Sequence, residues 1–130
     1  GAMMHDLGRC RTHSVSHGLA GGLMLSLLGF DERVARIARV HVGAGIPAAE
    51  AAELGLPEKD HMPESPEELI VCQADNMVRG TKRVRIGETF EKYVQKGLHA
   101  QARRIDRLHE KASELAGRDL NELAEKNYSK

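Results

Sequence analysis

Ser65-Pro66-Glu67-Glu68-Leu69-Ile70-Val71-Cys72-Gln73-Ala74-Asp75-Asn76 reads as a helix with a marked start. Ser65 is placed to cap, Pro66 suits the first helical position, and Glu68 completes a capping box. Val71, Cys72, Asp75 and Val78 then share one face at helical spacing. A carboxylate on that apolar face is costly unless a cation or several donors meet it. Asp75 is therefore a candidate ligand, with an ion pair to Arg79 or Arg83 as the competing reading.

The same periodicity extends upstream. One helix runs from Ser14 or Ser16 to Leu28, stopped by Gly29, with His17, Gly21, Met24 and Leu28 on its inward stripe. Asp31 caps a second helix ending near His41, where Val34, Ile37, Ala38 and His41 share a face. Gly43-Ala44-Gly45 ends it. Pro47 opens a short helix to Leu54, and Gly55 to Pro63 is a loop. Arg79 to Arg85 is a basic connector. Glu88–Leu98 and Gln101–Leu115 are two more helices, the latter striped by Ile105, Leu108, Ala112 and Leu115. Asp119 caps a short last helix. No sustained period-two alternation is present, so the expected class is all-α.

His5-Asp6 stands before all of this. Adjacent His and Asp offer one cation a nitrogen and a carboxylate oxygen. With His17, His41 and Asp75 they form an ordered set of candidate metal ligands spread over several elements. His61 sits in a polar loop and reads as a surface residue. His99 and His109 read as solvated, and Cys72 as core packing.

Composition narrows the function. The chain has 130 residues, 41% of them hydrophobic and 29% charged, which fits one globular domain over residues 4–130. Gly1-Ala2-Met3 reads as a remnant of tag removal. Lys+Arg and Asp+Glu are both 19, so no net field recruits nucleic acid or acidic lipid. Aromatics are 3% and Trp is absent, which counts against base stacking. Nucleic acid and membrane partners are not expected. Two distant cysteines and no apolar span fit a cytoplasmic protein.

The chain resembles the HD-domain metal-dependent phosphohydrolases, most closely a small, single-domain, largely archaeal branch. The likeness lies in His5-Asp6-Leu7-Gly8, His17-Gly18, the turn His41-Val42-Gly43-Ala44-Gly45, the Met62-Pro63 approach, and Glu68 through Asn76. It implies an all-helical bundle around one or two divalent ions (Mn, Fe, Mg, Ni, Co or Zn). His5, Asp6 and Asp75 would be ligands, His17 and His41 would serve a second metal, and Asp6 would bridge and act as the catalytic carboxylate. A metal-bound hydroxide would attack a nucleotide or other phosphate ester. Arg9, Arg79, Lys82 and Arg83 are candidates to hold substrate phosphate, a solvated charge run being the plainer reading.

The family also carries a helix with a further histidine before the doublet, and only Met4 and the presumed remnant stand there in this sequence. The expectation that follows is incomplete metal occupancy, weak activity and a homo-oligomer covering the exposed apolar face. His13 is too near His5, and too polar in setting, to be an obvious substitute, though it is the first residue to test if the site proves complete. The alternative is a catalytically impaired, oligomeric helical module that keeps the fold.

Overall fold

A computed structural model describes residues 1–125. They form two compact units, Gly1–Cys72 and Gln73 onward, with one helix running through the boundary.

The first unit opens with two 3-10 turns, Ala2–Met4 and Leu7–Cys10. Helices α1 (His17–Leu27), α2 (Glu32–Val40) and α3 (Ala48–Glu53) follow, and α4 (Pro66–Asn76) begins here. Asp31 caps α2 by accepting from Arg33 N at 2.9 Å. The expected capping box forms at α4: Glu68 N donates to Ser65 Oγ, and Ser65 N donates back to Glu68. Ser16 precedes α1 without capping it, because its hydroxyl bonds Ser14 Oγ instead.

The buried face of α1 differs from the expected stripe. His17, Gly18, Gly21, Gly22 and Leu25 are buried, whereas Leu28 is 65% exposed. Glycine makes this possible. A Cβ on Gly18 would lie 2.8 Å from the Ala38 carbonyl, and one on Gly8 only 1.8 Å from the His17 carbonyl. Bare backbone lets α1 lie directly against α2 and the second 3-10 turn. Leu25, Ala35 and Ala38 form the core beside this contact, with Met4, Leu7 and Val34 packed on them. Leu23, Leu27, Leu28 and Phe30 remain exposed.

Glu68 is buried and forms a two-point ion pair with Arg36, Nε donating at 2.8 Å and Nη2 at 3.2 Å. Burial pushes this carboxyl up, but the Arg36 guanidinium and the Glu64 and Ser65 amides outweigh it and hold it below the ordinary glutamate range. A depressed folded-state value contributes stability above the unfolded value, and that stability is lost as pH falls through the folded one. We expect Arg36→Ala to cost about 2 kcal/mol by stranding Glu68. The acid-side fall in stability should also flatten. Urea melts from neutral to acid pH check both, and an unchanged midpoint would remove Glu68 from the account.

In the second unit, the stretch expected as a connector is a small antiparallel hairpin, β1 (Val78–Arg79) with β2 (Lys82–Arg83). Val78 is therefore not on the α4 stripe: the helix ends at Asn76, and Val78 is half exposed on β1. α5 (Ile86–Gln95), α6 (His99–Ala116) and α7 (Glu122–Glu125) complete the unit. Ala102, Ile105, Leu108 and Ala112 are buried along α6, while Leu115 is exposed in its last turn before Gly117 (φ 67°). His109 is buried, contrary to expectation, and for a clear reason: Gln73 Nε2 lies 2.9 Å from its Nδ1, and Asp119 Oδ1 3.1 Å from its Nε2. These partners satisfy both ring nitrogens and tie the chain after α6 back to its helix. His99 is exposed as expected.

All described elements other than the hairpin and isolated bridges are helical, so the all-α reading holds. Among the described residues, no helix is long and apolar enough to cross a membrane.

Candidate metal centre

Three histidines in the first unit share one local device. The Nδ1 atoms of His5, His17 and His41 lie 2.6, 2.8 and 2.7 Å from the carbonyls of Ala2, Ser14 and Ala38. In each case the carbonyl belongs to the residue three positions earlier. A carbonyl only accepts, so each Nδ1 carries the proton and donates it. In the neutral ring, Nε2 is then a bare lone pair. The local turns thus set the tautomer and aim before any ligand arrives, which is how ligating histidines are held.

These lone pairs converge on Asp6. His17 Nε2 and His41 Nε2 are each 3.3 Å from Asp6 Oδ1 and 3.1 Å from one another. His5 Nε2 is 3.6 Å from Asp6 Oδ2, and the His5 ring meets His41 edge to face at 4.8 Å. Both His17 and His41 are buried, and Asp6 Oδ1 is out of contact with solvent. Two facing nitrogen lone pairs and a carboxylate oxygen repel unless a proton or cation lies between them. Asp6, His17 and His41 offer donor atoms close enough to share one ion, and the N/O donor set suits a divalent transition metal.

Electrostatics keep Asp6 ready. Burial pushes its carboxyl up, but the hydrogen bond and charge of the Arg9 guanidinium at 2.9 Å, with the neighbouring histidines, more than offset this and lower it overall. The carboxylate is thus available as a ligand, with Arg9 paired beside it.

The position of His41 depends on its neighbours. It ends α2 and leads into Gly43 (φ 60°) and Gly45 (φ 90°). The Gly45 cradle is tight: a Cβ there would sit 2.7 Å from Met62 Sδ and from Pro63 Cδ. Buried Cys72 directs its thiol at the carbonyls of Gly43 and His41, 3.1 and 3.4 Å away. Its role is in packing this turn, as its stripe position implies.

Of the sequence candidates, the first unit brings His5, Asp6, His17 and His41 together. Asp75 is half-buried near the end of α4, in the second unit, and Arg79, Lys82 and Arg83 are exposed on the hairpin there. His13 is exposed. His61 is buried, correcting the surface reading: its Nε2 lies 3.0 Å from the Pro57 carbonyl, and its backbone pairs with Ile46 in both directions. Gly8, Gly18 and Gly22, given no packing role by the sequence reading, let the backbones bearing the candidate ligands approach. Their signal was the spacing Gly18, Gly21, Gly22 immediately after a candidate ligand.

The HD domain family matches residues 1–80. A Methanocaldococcus jannaschii protein without assigned function is 48% identical over 118 residues, covering 88% of this chain and 69% of its own length. Two proteins named tRNA (cytidine(56)-2'-O)-methyltransferase, from Picrophilus torridus and Thermoplasma volcanium, are 44% and 41% identical over 123 residues. Those matches cover 95% of this chain but only 36% of each relative, so the chain spans about a third of these methyltransferases. No solved structure matches it significantly.

Proposed function

The chain belongs to the HD domain family, and from that premise we propose that it is a metal-dependent phosphohydrolase acting on a nucleotide or other phosphate ester. The observation that carries this reading is the trio of histidines whose Nδ1 protons are committed to backbone carbonyls while their Nε2 atoms gather at Asp6. A divalent ion at such a site lowers the pKa of coordinated water and stabilises charge developing on phosphate oxygens. His5, Asp6, His17 and His41 would hold one or two such ions, with Asp75 as the distant carboxylate. Asp6, lying between the histidines, is the residue suited to bridge. Arg9 steadies Asp6 and has further N–H groups to offer a phosphate oxygen.

The two methyltransferase-named relatives support an RNA setting for the ester, because they carry a segment similar to nearly this whole chain. The methyl-transfer activity in their names attaches to proteins more than twice as long, and is not proposed for this chain. The exposed Leu23, Leu27, Leu28 and Phe30 favour a second reading, an oligomeric helical module of impaired activity.

One experiment separates the two readings. Purified protein is titrated with Mn²⁺ by calorimetry and assayed on bis(p-nitrophenyl) phosphate with each candidate metal. The hydrolase reading expects saturable binding and metal-dependent turnover, and Asp75→Asn should abolish turnover. No binding and no turnover with any metal would leave the helical module standing.

A further inference from the structure

The whole-chain charge of zero hides a division. Residues 1–72 carry 6 Lys+Arg against 10 Asp+Glu, and residues 73–130 carry 13 against 9. The concentration is sharpest at the hairpin. Arg79, Lys82, Arg83 and Arg85 fall within seven positions that hold no acidic residue.

The register makes this arrangement costly by itself. Arg79 stands directly opposite Lys82, and Val78 opposite Arg83. Like charges directly opposed across two strands destabilise the pair. A two-stranded ribbon exposed on both faces has little else to hold it. The turn contributes, with Gly80 at the first central position and φ 62°, as a II′ hairpin requires. Nearby carboxylates answer only part of the charge. Glu88 stands 3.7 Å from Arg79, and Glu125 pairs with Arg85. Arg83 donates to the Leu123 carbonyl at 3.2 Å, which fixes its guanidinium beside the ribbon. Among the described residues, no carboxylate pairs with Lys82.

An opposed Arg–Lys pair on a braced, solvent-facing ribbon becomes favourable when a string of anions lies along it. From this we infer that the β1–β2 hairpin binds the phosphodiester backbone of RNA, with Arg79 and Lys82 as the central pair and Arg83 beside them. The choice of RNA rests on the RNA setting proposed above. With so few aromatics in the chain, the contact is to phosphates, not stacked bases, and it is sequence-independent. The overall neutrality that argues against nucleic acid is thus an average over two oppositely charged units.

The test is fluorescence anisotropy of labelled oligouridylate with the full chain, in EDTA, over a salt series. Chelation removes turnover, so this readout survives a failure of the hydrolase reading. The expected result is salt-sensitive binding that weakens at least tenfold in the double variant Arg79→Gln/Lys82→Gln. For single strands the slope of log K against log salt should shrink by about 1.4, two contacts at roughly 0.7 each. Arg79→Lys, which keeps the charge, should retain the slope and shows that the effect is not misfolding. Equal binding and slope in the double variant would overturn the inference. So would preferential binding to phosphatidylserine vesicles over RNA, which would assign the ribbon to a membrane surface.

Discussion

Asp6→Asn is expected to abolish high-affinity divalent-metal binding and to lower phosphoester turnover at least about a thousandfold, equivalent to roughly 4 kcal/mol of transition-state stabilisation. The substitution barely alters volume, so packing around the 3-10 turns should persist. The charge is what changes. Asp6 Oδ1 lies 3.3 Å from both His17 Nε2 and His41 Nε2, and an amide there supplies neither a negative charge nor a bridging carboxylate. Arg9 would at the same time lose its ion-pair partner, leaving a guanidinium beside the cluster that disfavours a cation. Calorimetric Mn²⁺ titration and a bis(p-nitrophenyl) phosphate assay, with circular dichroism as the fold control, measure each part. Full metal occupancy with unchanged turnover would remove Asp6 from the centre.

The legible part of this protein in its sequence is what a helical period and a cap can encode. Ser65-Pro66-Glu67-Glu68 announces α4, and Asp31 announces α2, because both signals are local side-chain to backbone bonds. His17 and His41 are inward by stripe position, and both are buried. What failed to show is non-local. Leu28 shares the expected stripe of α1, but the helix turns a glycine face to its neighbours, so the leucine is left in solvent. His61 and His109 are polar by type and sit in polar stretches, yet each is buried, by the Pro57 carbonyl and by Gln73 with Asp119. The hairpin is two residues per strand, too short for a period-two pattern to appear. The histidine tautomers also follow from local geometry, the i−3 carbonyl, but that contact exists only once the turns have formed.

Gly8→Ala tests whether the site depends on backbone nesting as closely as the structure requires. Gly8 lies in the 3-10 turn that follows the His5-Asp6 doublet, and it is buried against the first turn of α1. A Cβ at this position would stand 1.8 Å from the His17 carbonyl oxygen and 2.6 Å from Gly21 N. Both obstacles are main chain in a helix, so no rotamer change relieves the overlap. The turn must move away from α1 by more than an ångström, carrying Asp6 away from His17. Overpacking at a rigid contact costs about 3 kcal/mol. For a chain of this size that corresponds to a fall in melting temperature of roughly 10 °C. Gly87→Ala is the matched control. It lies in the first turn of α5 with nothing within 4 Å of a new Cβ, so alanine there should be neutral or raise stability by up to about 1 kcal/mol. At low temperature, where Gly8→Ala remains folded, its Mn²⁺ affinity should still fall at least tenfold, because displacement of the doublet is geometric and does not need unfolding. Thermal melts and Mn²⁺ titration of the two variants decide the matter. If Gly8→Ala melts with the native protein and binds metal equally well, the nesting of the doublet turn on α1 does not set the metal centre.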